Sequence, residues 1–127
     1  MSATSVDIVI RCGDVFLTAR LDDNETARRV AAILPITSEA GRWGEEVFFE
    51  IPLTCRLAAD ARDLMQPGEI AFWPPGRSLC VFWGRTPSSI EGEIRAASPV
   101  NPIGRVTGDV RALERVRDGD VIVVERT

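Results

Sequence analysis

A carboxylate on an apolar strand and a cysteine set among aromatics are the side chains of this protein best placed to do chemistry. Glu50 follows Val47, Phe48 and Phe49 and precedes Ile51. An acid in such company is costly unless it is paired, hydrogen-bonded or part of a site. It reads equally as half of an ion pair with an arginine or as a ligand contact. Cys80 lies in the stretch from Gly68 to Pro87, GEIAFWPPGRSLCVFWGRTP, which gathers Phe72, Trp73, Phe82 and Trp83 around it. A thiol attacks as its thiolate, which needs a base or a neighbouring cation. The chain contains no His, so Cys80 reads first as a small buried hydrophobe, and only an arginine is available to lower its pKa.

The missing residue types narrow the chemistry further. Lys and Tyr are absent as well as His, and all 15 basic residues are arginine. Without imidazole there is no usual base for a serine or cysteine nucleophile and no commonest ligand for a transition metal. Without Lys there is neither a Schiff base nor a P-loop lysine. Any proton transfer falls to a carboxylate, a thiol or water, and arginine is the one side-chain cation left for an oxyanion. No metal site and no cofactor are expected. Cys12, Cys55 and Cys80 are odd in number and far apart, which suits buried free thiols rather than a disulfide framework or a zinc site. The formal charge is −4 and the arginines are scattered, so a nucleic-acid partner is not expected.

At 127 residues the chain fits one domain, residues 1–127, with one apolar core. No apolar run approaches the roughly 20 residues of a membrane span, and Met1 to Asp7 lacks the basic start and apolar centre of a signal peptide. A cytoplasmic protein with no membrane partner is expected.

The elements that must position Glu50 and Cys80 are short. Val6 to Arg11 and Val15 to Leu21 alternate apolar and polar residues around Cys12-Gly13-Asp14, which predicts a hairpin. Asp23 or Asn24 caps a helix carrying Ala27, Val30, Ala31 and Leu34 on one face, stopped by Pro35. Ser38 to Trp43 and Val47 to Leu53 predict a strand pair joined near Gly44. The spacing of Leu57, Ala61, Leu64 and Met65 predicts a second helix closed by Pro67-Gly68. Ile70 to Trp73 and Leu79 to Trp83 are strands around the Pro74-Pro75-Gly76 corner. Ser88 to Pro102 is polar and turn-rich, and Asn101 reads as a turn residue bonded to its own backbone. Ile103 to Thr107 and Val121 to Val124 are the last strands, with a helical turn or short helix at Val110 to Val116 between them. Many short strands and few helices point to a closed or nearly closed β-barrel capped by helices.

The order PGEIAFW, CVFWGRTP and NPIGRVTGDVRALERV resembles the cyclophilins, with Gly68, Ile70, Phe82, Gly104, Val106, Gly108, Val110 and Val116 as matching landmarks. The run from Glu45 to Pro52, the corner from Ala71 to Gly76 and the run from Ser98 to Arg105 are similar to a family of small prokaryotic cyclophilin-like proteins. The resemblance implies a mainly β fold, a cyclophilin-like closed β-barrel of about eight strands with two or three short helices. It also implies a groove on the outside of that barrel. Phe48-Phe49-Glu50 takes the place of the Phe-His-Arg strand that carries the cyclophilin arginine. Cys80 takes the place of a pocket glutamine, Phe82 that of a pocket phenylalanine, and Trp73 stands beside them.

Side chains two apart on a strand share a face. Phe48 and Glu50 therefore share one, as do Cys80 and Phe82, while Phe49, Ile51, Leu79, Val81 and Trp83 take the opposite, core-like faces. The expected binding residues are Phe48, Glu50, Trp73, Cys80 and Phe82; no catalytic residue is assigned. Two functions fit. One is a pocket protein that holds an extended peptide or a small molecule in an aromatic groove. The other is a peptidyl-prolyl cis-trans isomerase whose donor has moved to Arg42, Arg77 or Arg85, because an ionised Glu50 only accepts hydrogen bonds and a twisted amide needs donors.

Overall fold

The computed structural model describes residues 5–127. The expectation of no leader rests partly on the first four residues, which lie outside the described residues. Strands β1 (Val6–Cys12) and β2 (Val15–Leu21) form the opening hairpin, turned at Gly13 with φ 59°. β2 buries Val15, Leu17, Ala19 and Leu21 and turns the residues between them outward. Helix α1 (Glu25–Ala32) is capped by Asn24, whose side chain accepts from the Ala27 N–H at 2.9 Å. Its Ala27, Val30 and Ala31 pack into the core, as their spacing requires.

The remaining strands are β3 (Ile36–Glu39), β4 (Gly41–Arg42), β5 (Glu46–Glu50), β6 (Arg62–Met65), β7 (Glu69–Trp73), β8 (Ser78–Phe82), β9 (Ile94–Val106) and β10 (Val121–Arg126). Two 3-10 helices, Pro74–Gly76 and Val110–Arg115, complete the elements. All strand pairs are antiparallel, in the order β3-β10-β1-β2-β9-β7-β8-β5-β4, with β6 added on β9. The sheet thus has ten strands rather than about eight, and it is not closed into a barrel. The reason lies at its ends. β3 and β4 are almost consecutive in one run of chain, residues 36–42, which passes from one end of the order to the other. One residue between them is too few for the turn that would pair them, and no ladder joins β3 to β4 among the described residues.

Two segments differ from the sequence expectation. The helix expected over Leu57 to Met65 is irregular chain followed by β6, with Leu57 and Leu64 exposed. Helical spacing was present, but β9 offers Arg62 to Met65 a ladder, and pairing overrides a weak local preference. Of the turn-rich stretch Ser88 to Pro102, residues 88–93 are turns and irregular chain as expected, but 94–102 are the larger part of the 13-residue β9. Its prolines are tolerated because both sit where the register breaks: Pro99 opposite the irregularity between Arg62 and Leu64, Pro102 at the shift between Ile70 and Ala71.

β9 explains how one sheet carries two apolar layers. One face of the sheet closes on the main core, where Ile10, Leu21, Phe49, Phe72, Ile103 and Leu113 are fully buried. On the other face Met65, Ala71, Cys80, Phe82, Ala96 and Val100 form a second cluster, covered by Trp73 and Ile94. The strand limb 94–100 and β6 therefore fold over the outer side of β7 and β8. That is why β8 is buried along its whole length and reads as a continuous apolar run.

The overlying limb is held by a buried acid with its own cation. Glu69, 6 % exposed, accepts from Arg62 Nη1 at 2.8 Å, from Arg62 Nη2, and from the Gln66 N–H at 2.7 Å. Burial alone would raise its pKa, but the Arg62 and Gln66 hydrogen bonds more than offset this and hold it below the usual carboxylate value. Removing a partner of a buried pair costs several kcal/mol, and the half-exposed arginine reduces that figure. Arg62→Ala is expected to destabilise the protein by about 2 kcal/mol in urea denaturation at pH 7. A variant with an unchanged midpoint would show that Glu69 needs no counterion.

Candidate functional site

The site lies where β5, β7 and β8 meet the overlying limb of β9. In the β5–β8 ladder Glu46 faces Phe82, Phe48 faces Cys80 and Glu50 faces Ser78, so Glu46, Phe48, Cys80 and Phe82 share the outer face. A cavity of about 250 Å³ opens there between Trp43, Phe48 and Trp73, over Glu46, Cys80 and Val100. Ala96 and Ala97 close it on the β9 side. Small residues on that side leave the space that larger ones would fill.

Two glycines and one hydroxyl seat its aromatic walls. A Cβ on Gly41 would lie 2.6 Å from the Phe48 ring, and one on Gly76 would lie 2.5 Å from the Trp73 ring. Both rings therefore rest directly on glycine backbone. Trp73 Nε1 also donates to Ser98 Oγ at 2.7 Å, which ties the indole to β9. The Trp-Pro-Pro-Gly corner thus positions Trp73 as well as turning the chain: Gly76 supplies the flat surface under it.

The cavity contains one ionisable acid, and that acid is Glu46. Its side chain is 5 % exposed and its Oε1 has no hydrogen-bond partner among the described residues. Burial pushes its pKa up from 4.5 to about 7, and the neighbouring Cys80 thiol offsets only part of this. Cys80 itself is pushed well above its usual value, first by burial and then by the adjacent Glu46 carboxylate. It is a neutral thiol at neutral pH, without the activation a nucleophile needs. Among the described residues no group of three or more His, Cys, Asp or Glu is placed to hold a metal ion.

The residues expected from sequence divide around this cavity. Phe48, Trp73 and Cys80 line it. Phe82 lies one layer in, fully buried in the second cluster beneath it. Glu50 points to solvent at the far end of β5 and pairs with Arg77 Nη2 at 2.6 Å, the ion-pair alternative of its two readings. Arg42 lies 5.0 Å over the Trp83 ring on the core side and donates to the carbonyls of Gly44, Glu114 and Val116. Arg85 is exposed, and its backbone N–H donates to Glu45 Oε1 at 3.0 Å. None of Arg42, Arg77 and Arg85 lines the cavity.

Sequence reasoning missed Trp43, Glu46 and the Ala96, Ala97 and Val100 wall. The face rule that joined Phe48 to Glu50 reaches Glu46 equally well, two residues in the other direction. Asn101 is no turn residue: it sits in β9, 1 % exposed, and bonds other segments rather than its own. Its Oδ1 accepts from the Ala58 N–H at 2.8 Å, and its Nδ2 donates to Arg56 O at 2.9 Å and Thr26 Oγ1 at 3.2 Å. It staples the irregular segment 55–60 to α1. A second cleft of about 560 Å³ lies along that segment, and the amides of Asn24 and Asn101 that line it are taken up by these structural bonds and by α1.

The same architecture occurs elsewhere. The solution structure of the hypothetical protein AF2241 from Archaeoglobus fulgidus superposes with a TM-score of 0.84 and 36 % sequence identity, over 99 % of this chain and 98 % of that one. No curated protein matches the chain. The family model described as Cyclophilin-like matches residues 6–125, nearly all of the described fold. With the β5, β7 and β8 arrangement and this match together, the chain belongs to the cyclophilin-like family.

Proposed function

We propose that this protein is a cyclophilin-like binding module whose outer-face cavity takes one small apolar group, either a side chain of an extended peptide or a small molecule. The observation that carries the reading is the cavity of about 250 Å³ walled by Trp43, Phe48 and Trp73. Ligand sites are concave and mostly apolar with few polar groups, and a volume just below the usual range suits a single anchor group rather than a large ligand. The half-exposed Phe48 and Trp73 give the cavity a mouth, and aromatic anchors are the residues on which small contacts draw most of their energy. The reading is one of binding rather than turnover. The cavity is lined by aromatics, small apolar residues, a neutral thiol and one acid, and prolyl isomerisation needs a donor aimed at the twisted amide.

Amide and indole NMR shifts test it. Titration with indole and with a short proline-containing peptide is expected to move the Trp43 and Trp73 indole signals together with the amides of residues 46–48 and 96–100. Ala96→Leu, which fills the cavity, should abolish these shifts while leaving the rest of the spectrum in place. If neither probe moves those signals at millimolar concentration, or if Ala96→Leu leaves the shifts intact, the reading fails.

A further inference from the structure

Resting on that reading, a comparison of two acids gives the chemical class of the ligand. Glu46 and Glu69 are both buried, at 5 % and 6 % exposed. Glu69 has Arg62 on both of its oxygens. Glu46 has a thiol neighbour, an Oε1 without a partner among the described residues, and no arginine on the cavity wall. In a chain with 15 arginines, a buried carboxyl left without one has its complement to come from outside. Buried charges are paired or bind cations, and an unmet buried acceptor costs what its desolvation costs.

The walls around this carboxyl point to the same sign of charge. Trp43, Phe48 and Trp73 line the cavity, and an aromatic ring attracts a cation that lies against its face, the negative end of its quadrupole. Several aromatics with one acid make a binding site for a cation whose charge is spread over an alkyl shell, since such a cation gives up little hydration and still fills apolar space. A bare metal ion would find no third ligand there, and an unalkylated ammonium is strongly hydrated, a hydration that the apolar wall does not replace. We propose that the cavity binds a compact alkylated ammonium group, with Glu46 as countercharge and Trp43, Phe48 and Trp73 as its aromatic wall.

Choline and 3,3-dimethylbutan-1-ol have the same shape and differ in the charge of the central atom, so they separate this proposal from general apolar binding. By isothermal titration at pH 8 choline is expected to bind about tenfold tighter than the alcohol or better, the range of a desolvated cation–π contact. Glu46→Gln should reduce the preference severalfold by weakening choline alone, and Trp73→Leu should weaken choline more than the alcohol. Equal or tighter binding of the alcohol by the parent protein overturns the cation and leaves the apolar pocket standing. A preference for choline that is undiminished in Glu46→Gln overturns the role of Glu46. Binding of neither compound overturns the pocket and the cation together.

Discussion

At pH 8 the Glu46→Gln protein is expected to be more stable than its parent by about 3 kcal/mol, while at pH 4 the two should unfold at nearly the same denaturant concentration. The sign follows from the direction of the shift. Burial raises the Glu46 pKa from 4.5 to about 7, so the folded state holds its proton more tightly than the unfolded chain does. Below 4.5 both states are protonated and the carboxyl costs nothing extra. As the pH rises from there to about 7, the unfolded chain releases the proton and the folded protein does not, so stability falls steadily. Above that window both states are ionised and the penalty stays constant. A glutamine keeps the shape and remains neutral throughout. In a chain of this size the difference corresponds to about 10 °C in melting temperature at pH 8. Glu69 works in the opposite direction: its pKa is lowered, so its contribution is present at neutral pH and fades as the pH falls below the usual carboxylate range. Comparing variant with parent cancels that contribution, because both proteins contain Glu69. A stability difference of the same size at pH 4 and pH 8 would show that the Glu46 carboxyl is not held in an apolar site.

The same residue shows how far the sequence could be read. The period of two within β5 and within β8 was sufficient to set Phe48 apart from Phe49 and Cys80 apart from Leu79 and Val81, the resemblance brought Phe48 and Cys80 together, and the ladder has this register. Glu46 escaped notice because it sits beside Glu45, two residues after Gly44, where a turn with solvated charges is the ordinary reading. The cavity that makes it a site is walled by the limb 94–100, some 50 residues later in the chain. That limb was itself hidden, since Pro99 and Pro102 argue against a strand unless the register breaks where they stand. Closure of the sheet was a matter of the same kind. Strand number and alternation are local properties, but whether the last strands pair depends on how residues 36–42 run between the two ends. The family resemblance supplied the mainly β, cyclophilin-like character of the fold but neither its ten strands nor its open sheet, and the cavity came from contacts too distant in sequence to leave a local pattern.

Gly104 joins these levels, and its replacement should have an effect as large as that of Glu46. Gly104→Ala is expected to destabilise the protein by about 3 kcal/mol or more in urea denaturation, at the upper end of overpacking costs. In β9 it faces Leu21 of β2 on one side and Ile70 of β7 on the other. A Cβ there would lie 2.3 Å from the Arg20 carbonyl oxygen and 3.1 Å from the Leu21 Cα. Both are backbone atoms, so no side chain can swing aside to make room. Nor can β9 move freely, because Asp22 N–H donates to Ile103 O at 2.7 Å and Val106 N–H donates to Gly68 O at 2.8 Å, holding it from both edges. Gly108→Ala is the matched control: its added carbon would meet nothing closer than 3.4 Å and should cost under about 1 kcal/mol. Equal stability of Gly104→Ala and the parent would mean that the close strand approach is not what requires glycine there. Since β9 joins the β3-β10-β1-β2 half of the sheet to the β7-β8-β5-β4 half and its limb 94–100 also closes the cavity, a displaced β9 should loosen the cavity wall together with the sheet. Weaker probe binding by Gly104→Ala at temperatures where it is still folded is therefore expected, although residue 104 does not touch the cavity.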